Sequence, residues 1–159
     1  GIYPLEFTSR FGFPQVFIQK AGINESIGNM LYKIANGESF TINAKKGFQL
    51  GVFMVVPPFP YDDKKTFDLF SKDSVVIFKK EMKEGIHPMH LKSINGEWLI
   101  TGTTGIALMV SGTGLTMKDA QKTMYSRVQN IIVNNSYYRT DIGDRWFNES
   151  DKLMSWGLL

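Results

Sequence analysis

Three polar side chains near the start of the chain have types and spacing that could serve chemistry. Glu6, Thr8 and Arg10 alternate with other residues in the run PLEFTSRFGFPQ, at 4–15. Successive side chains of a strand point to opposite faces, so the spacing predicts a strand that carries these three side chains on one face. That polar face is either merely solvated or has a chemical role, and the residues alone leave both interpretations open.

A second cluster of charged groups lies in the segment YYRTDIGDRW. Arg139, Asp141, Asp144 and Arg145 alternate there among aromatic residues, and Gly143 occupies a position that suits a positive φ. The charges could form a surface ion-pair lattice, which would contribute little stability. They could equally orient a phosphate, because arginine offers a planar two-pronged donor set that a neighbouring aspartate can hold in place.

Two further motifs carry weaker signals. The stretch SGTGLTMK, at 111–118, places glycines before a helix start, an arrangement that can bind phosphate. It lacks the Gly-Lys-Ser/Thr run of a Walker A loop, so we interpret it as a strand-to-helix turn. His87 and His90, in HPMH, have no evident third ligand, and Pro88 makes the segment a turn, so we predict no metal site there.

The composition restricts the class of protein. With 159 residues, 43% of them apolar, the chain is long enough for one domain, or for a small domain plus a piece of another. No apolar run approaches the length of a membrane span, and the absence of cysteine excludes disulfides, so we expect a cytoplasmic protein without a membrane partner. The formal net charge of +3 is spread without a Lys/Arg stripe, which argues against nucleic acid as a partner.

The hydrophobic patterns predict an α+β fold. Strands are expected at 48–56, 74–78, 97–101 and 105–112, with a hairpin turn at Asn95-Gly96. Helices are expected at 22–36, from Thr116 to about Ile131, and from about Asn148 to Trp156. A polar segment at 37–47 is the best candidate for a domain seam. Because the chain begins at Gly1 and runs directly into the predicted strand, we expect a larger protein upstream.

The stretch from 101 to 146, which ends in YYRTDIGDRW, resembles the carboxy-terminal domain of the phosphoribosylamine–glycine ligase family, also called glycinamide ribonucleotide synthetases. The family's T-x-x-x-A helix start has its counterpart from Thr116 to Ala120, and its YRTDIG segment from Tyr138 to Gly143. PLEFTSRFGFPQ is similar to the last ATP-grasp strand of the family, E-F-N-x-R-F-G-D-P-E. The resemblance covers nearly all of the chain.

The resemblance implies two structural units. Residues 1–44 would be the last strand and helix of an ATP-grasp domain, and residues 45–159 a small β-rich domain of the rudiment single hybrid or barrel-sandwich type with a packed helix. It also implies an ATP-dependent enzyme of purine biosynthesis that joins glycine to 5-phosphoribosylamine, using Mg²⁺ or Mn²⁺ on the nucleotide phosphates. The piece would be inactive without the upstream ATP-grasp region and would hold no cofactor tightly by itself.

The same resemblance assigns roles to individual residues. Glu6 and Thr8 would be metal ligands, and Glu6 and Arg10 would contact the nucleotide. Arg10, Arg139 and Asp141 would serve catalysis at the cleft.

Three positions depart from the family pattern. Thr8 replaces an asparagine, Phe13 an aspartate and Gln15 a glutamate. A threonine hydroxyl is a shorter donor than an asparagine carbonyl, although hard Mg²⁺ still accepts it or an intervening water. The alternatives are therefore a divergent ligase, a paralogous ligase acting on a different amine or amino acid, and a non-catalytic interaction module derived from the same fold.

Overall fold

The computed structural model of the protein describes residues 3–81 and 84–158. In this part of the chain the helices are α1 (Gln15–Ala21), α2 (Ile27–Ala35), α3 (Lys64–Phe70), α4 (Met117–Gln129) and α5 (Asp144–Ser155). The strands are β1 (Phe48–Val55), β2 (Val75–Phe78), β3 (Ile86–Pro88), β4 (Leu91–Ile94), β5 (Glu97–Ile100), β6 (Ile106–Gly114) and β7 (Ile131–Val133). None of these helices has the length and apolar character required to span a bilayer.

The first sheet is antiparallel, with β6 between β1 and β3. β1 and β6 pair along their whole length, from Phe48 opposite Gly114 to Val55 opposite Ile106. β3 pairs with the other edge of β6 and places His87 opposite Met109. The apolar, β-branched composition of β1 and β6 suits a buried sheet, and both predicted strands are confirmed.

The second sheet is also antiparallel and has the order β4-β5-β2-β7. Its β4–β5 hairpin turns at Asn95-Gly96, with φ angles of 51° and 85°. Two positive φ values in succession are those of a type I′ turn, so the predicted hairpin is confirmed.

α4 packs directly against β6, and two glycines make this possible. A Cβ at Gly112 would lie 2.4 Å from the Met124 backbone nitrogen, and one at Gly114 would lie 2.4 Å from that of Ala120. Thr116 caps the helix by accepting the Asp119 N–H at 3.1 Å. The glycines of SGTGLTMK thus serve helix–sheet packing, and the predicted strand-to-helix turn is confirmed.

The predicted opening strand is wrong. Residues 3–8 have no regular secondary structure, and the apolar side chains of Leu5 and Phe7 are 97% and 99% exposed. A strand needs a neighbouring strand to complete its hydrogen bonds, and none of the described residues pairs with this segment.

The predicted helix at 22–36 begins later than expected, and the separate helix α1 precedes it. Between α1 and α2 the backbone bonds to a later segment. The Asn24 N–H donates to the Asn43 carbonyl at 2.8 Å, and the Lys45 N–H donates to the Gly22 carbonyl at 2.7 Å. These bonds take the place of helical ones.

Other departures involve short elements. The HPMH segment, expected to be a turn, begins within β3, and the sequence did not predict α3, β4 or β7. Ile131 belongs to β7 and not to α4, because the helix ends at Gln129 and the β-branched run that follows pairs with β2. α5 begins at Asp144, ahead of the predicted Asn148. The domain boundary at 44/45 stays a prediction.

Candidate functional site

A cavity of about 410 Å³ lies between α1, the first sheet and the segment that precedes α5. Arg139 is the only charged residue among those described that line it. The others are mainly apolar or aromatic: Pro14, Gln15, Ile18, Gly51, Val52, Phe53, Val55, Phe59, Met109, Tyr137, Tyr138 and Ile142. An apolar enclosure with one cation at its wall is typical of a site for a small molecule that carries an anionic group.

Gly51 lets α1 close one side of this cavity. A Cβ at this position would lie 2.2 Å from the Met109 methyl carbon and 2.8 Å from Ile18 of the helix. A larger residue would therefore require the Met109 and Ile18 side chains to move.

The loop at 137–142 is fixed to the sheet at its start. Tyr137 forms an isolated antiparallel bridge with Val55 at the end of β1, with backbone bonds of 2.9 and 3.0 Å. The Tyr137 hydroxyl also donates to the Phe59 carbonyl. These bonds hold the beginning of the loop over the cavity.

Two side chains of α4 hold the rest of the loop. The Tyr125 hydroxyl accepts the Ile142 N–H at 3.0 Å and donates to the Arg139 carbonyl at 3.1 Å. Gln121 donates to the Ile142 carbonyl at 2.9 Å and to the Asp144 carboxylate at 2.7 Å. The backbone of the YRTDIG loop is therefore positioned by the helix, independently of its own charged side chains.

Gly143 ends the loop with a φ of 90°, in the left-handed region. The positive φ predicted for this position is confirmed. A Cβ here would lie 2.7 Å from the Met117 sulfur, so both the backbone angle and the limited space favour glycine. The turn directs the chain into α5.

Arg139 and Asp141 form a two-pronged ion pair at the edge of the cavity. Arg139 Nε and Nη2 donate to the two carboxylate oxygens at 2.9 and 2.7 Å. These bonds raise the pKa of the guanidinium and lower that of the Asp141 carboxyl. Both side chains are largely exposed, at 72% and 56%, so water screens the pair. The arrangement fixes the direction of the guanidinium and leaves its Nη1 edge without an acceptor among the described residues.

Glu6, Thr8 and Arg10 do not line this cavity. They lie on the exposed, irregular opening segment, where Arg10 Nη1 donates to the Phe11 carbonyl at 3.0 Å. The later part of PLEFTSRFGFPQ does reach the cavity, through Pro14 and Gln15. The structure thus brings Arg139 and the end of the opening segment together, but it does not bring the three predicted residues with them.

The described residues contain no preassembled metal site. No group of three or more His, Cys, Asp or Glu side chains is assembled for a metal ion anywhere in 3–81 or 84–158. Glu6 and Thr8 carry oxygen donors of the kind that Mg²⁺ prefers, and Mg²⁺ commonly binds through one or two carboxylates together with substrate phosphates. Their chemistry fits the ion, so their assignment as metal ligands stays a prediction.

The two histidines have protein partners. His87 Nε2 lies 3.0 Å from the Ser111 hydroxyl, and His90 Nδ1 lies 3.1 Å from the Thr104 hydroxyl.

Gln121 and Tyr125 were not identified as site residues from the sequence. Their signal was present: they are one helical turn apart and border the apolar stripe of α4, where a tyrosine and a glutamine can reach a neighbouring segment. That segment lies 14 to 21 residues later in the chain, which no local pattern reveals.

Comparison with known proteins gives consistent results. The phosphoribosylamine–glycine ligases of Lactococcus lactis and Listeria innocua are each 25% identical to this chain, over 91% and 89% of its length. That of Streptococcus pneumoniae is 28% identical over 89%. The crystal structure of phosphoribosylamine–glycine ligase from Thermotoga maritima matches 87% of this chain and 33% of its own, with a TM-score of 0.70 and 22% identity. No family model matches the chain.

The motif-based resemblance to phosphoribosylamine–glycine ligases is thus confirmed, and the structural match shows a shared fold. The chain spans about a third of the length of the curated relatives that it matches, 33% and 32% for the first two, which is consistent with their carboxy-terminal portion. The assignment of residues 1–44 to an ATP-grasp domain and the roles of the site residues stay predictions.

Proposed function

We propose that this chain is the carboxy-terminal portion of an ATP-dependent ligase that joins glycine to 5-phosphoribosylamine in purine biosynthesis. The similarity to enzymes of that name extends over 89–91% of the chain and carries the proposal. The YRTDIG loop, the most specific part of the resemblance, borders the apolar cavity. In this proposal the upstream part of the ligase supplies the remainder of the ATP site.

Arg139 binds an anionic group of a substrate in the proposed enzyme. Its Nη1 edge has no acceptor among the described residues and can donate to an anionic group, while the apolar lining of the cavity can contact the rest of the substrate. Asp141 positions the guanidinium by accepting two of its N–H groups. Arg10 provides a second cation toward the nucleotide phosphates.

Glu6 and Thr8 hold magnesium in the proposed enzyme, with ligands contributed by the nucleotide and by upstream residues. Magnesium held by these side chains would supply positive charge at the nucleotide phosphates. We expect residues 3–8 to form a strand only when the upstream region offers a neighbouring strand, because they pair with no strand of the described chain.

The test is an assay of the protein translated from the complete reading frame that contains this sequence. ATP hydrolysis should require both glycine and 5-phosphoribosylamine. Arg139→Ala should lower kcat/KM by about tenfold or more, because a hydrogen-bonded charge contact to substrate is lost. Arg145→Ala is the matched control: Arg145 forms a similar exposed pair, with Glu149, but it does not line the cavity.

Thermal unfolding of both variants should be close to that of the parent protein, since both ion pairs are exposed. A well-folded protein without substrate-dependent ATP hydrolysis would overturn the proposal and favour the non-catalytic module. The residues that favour that alternative are Thr8, Phe13 and Gln15, which replace the family's oxygen-bearing side chains.

A further inference from the structure

A second cavity, of about 370 Å³, lies on a different face of α1. α1 contributes Ile18 to the Arg139 cavity but Phe17 and Lys20 to this one, and no residue lines both. We call it the basic cleft. The described residues that line it include Phe17, Lys20, Lys45, Glu84, His87, Ser111 and Arg127.

Positive charge predominates in the basic cleft. Among the described residues that line it, Lys20, Lys45 and Arg127 come from three separate parts of the chain, and Glu84 is the one carboxylate. None of the three cations forms an ion pair with another residue of the described chain. Like charges brought together without a counter-charge repel one another, so an anion placed between them would be stabilised.

The floor of the basic cleft is ordered by specific bonds. Ser111 is only 2% exposed and its hydroxyl bonds to His87, while its carbonyl accepts Arg127 Nη1 at 2.6 Å. The Phe17 ring stacks on the His87 ring, with centroids 4.7 Å apart and planes inclined by 27°. Side chains held in this way are preorganised for a ligand.

Gly85 makes room for the arginine. Its φ is 73°, and a Cβ on it would lie 2.1 Å from Arg127 Nη1. Its carbonyl accepts the Ser111 N–H at 2.8 Å, which joins β3 to β6 at the same point. A glycine at this position therefore keeps the guanidinium inside the cleft.

We propose that the basic cleft binds the phosphate group of a small phosphorylated molecule. Arg127, Lys20 and Lys45 donate to the phosphate oxygens, and the ordered Ser111–His87 pair forms the floor. Among the described lining residues, three cations against one carboxylate give a formal charge of +2, which matches a phosphate dianion better than a carboxylate. The proposal is independent of the proposed function, because it rests on residues that do not line the Arg139 cavity.

His87 reports on ligand binding. Burial, followed by the charges of Lys20 and Arg127, lowers the pKa of its imidazole. The other charged groups that line the cleft are Lys45 and Glu84. A bound phosphate would oppose the two cations and so raise the pKa of His87.

The experiment is an NMR titration of the histidine ring signals of the 159-residue chain with inorganic phosphate and, separately, with ribose 5-phosphate. We expect a saturable shift of the His87 signal and an increase in its pKa, with little change in His90, which does not line the cleft. Tighter binding of the sugar phosphate would identify an ester as the ligand, and equal binding would identify the free anion. Sodium chloride at matched ionic strength is the control.

Three variants test the assignment. Arg127→Met should weaken binding by about tenfold, since a charged hydrogen bond is lost. Lys20→Met should weaken it by roughly two- to fivefold, because this lysine is exposed. Glu84→Gln should tighten binding by removing the opposing charge.

The proposal is overturned if the His87 shift does not saturate, if sodium chloride reproduces it, or if His90 moves equally. It is also overturned if a folded Arg127→Met variant binds as tightly as the parent chain. Should Arg127→Met fail to fold, the opposite effects expected for Lys20→Met and Glu84→Gln decide the outcome, because both of those side chains are exposed.

Discussion

Replacing Tyr125 with phenylalanine removes the hydroxyl that joins α4 to the YRTDIG loop. That hydroxyl makes two hydrogen bonds, from the Ile142 N–H at 3.0 Å and to the Arg139 carbonyl at 3.1 Å. Each such bond contributes about 0.5–1.5 kcal/mol net, so the free energy of unfolding should fall by about 1–3 kcal/mol. Because the ring itself is kept, the packing of α4 should change little.

The assay is urea unfolding followed by circular dichroism, with Tyr138→Phe as the matched control. The Tyr138 ring lies 6.4 Å from that of Tyr125 and packs on the same core, but its hydroxyl has no hydrogen-bond partner among the described residues. Its loss should change the free energy of unfolding by less than about 0.5 kcal/mol. Equal effects of the two substitutions would refute the role assigned to the Tyr125 hydroxyl.

The same substitution should change the response to alkaline pH. Burial raises the pKa of Tyr125, and the charges of Asp144 and Asp141 add to this, against the opposing effects of the Ile142 N–H and Arg139. A raised pKa means that the folded state keeps the Tyr125 proton to higher pH than the unfolded state does. The stability that the protonated hydroxyl contributes is therefore complete below the ordinary tyrosine pKa of about 10 and is lost as pH rises through the pKa of the folded state. Tyr125→Phe should therefore lose less stability than the parent protein above this pH, and a parallel decline would contradict the reasoning.

Three further predictions concern packing, capping and charge. Gly112→Ala should destabilise the protein by about 3 kcal/mol in urea unfolding, because its Cβ would lie 2.4 Å from the α4 backbone. The control is Gly28→Ala, whose Cβ would have only a 3.6 Å contact and which should be neutral or stabilising by up to about 1 kcal/mol. Equal losses of stability in the two variants would argue against the close approach of α4 to Gly112. Thr116→Ala should lower the stability by about 1 kcal/mol in thermal unfolding, because it removes the α4 cap, and Thr116→Ser should retain that stability. An unchanged Tm for Thr116→Ala would disprove the role of the cap. Carboxyl NMR should place the pKa of Asp141 below its ordinary value, and Arg139→Ala should move it back toward that value. The stability that this pair contributes is present above the pKa of the unfolded state and is lost as pH falls through the pKa of the folded state. An unchanged Asp141 pKa in the variant would exclude the pairing.

The sequence predicted the elements whose signals are local. β1 and β6 are long apolar runs, and Asn95-Gly96 selects its turn through the φ values that these two residues tolerate. By contrast, β3 and β7 contain three residues each and are strands only because β6 and β2 lie beside them. In the opening segment a local pattern was not enough: its alternating residues suit a strand, but no described residue pairs with it, and no strand forms.

The same distinction applies to the candidate site. Arg139 and Asp141 are close in the sequence, and their chemical types alone indicated an oriented guanidinium, which the structure contains. The cavity that α1 and Gly51 line together with Arg139 depends on contacts between distant segments, so the sequence could not reveal it.

The geometry of the YRTDIG loop separates two explanations for its residues. If the loop existed only for folding, its charged side chains would be expected to hold it in place. The loop is instead held by the hydroxyl of Tyr125, the amide of Gln121 and the positive φ of Gly143. Arg139 and Asp141 are exposed and bond chiefly to each other, so the fold gains little from them. Replacing Arg139 should therefore leave the turn that carries it intact, so a loss of activity in that variant would report on the proposed ligand contact and not on folding.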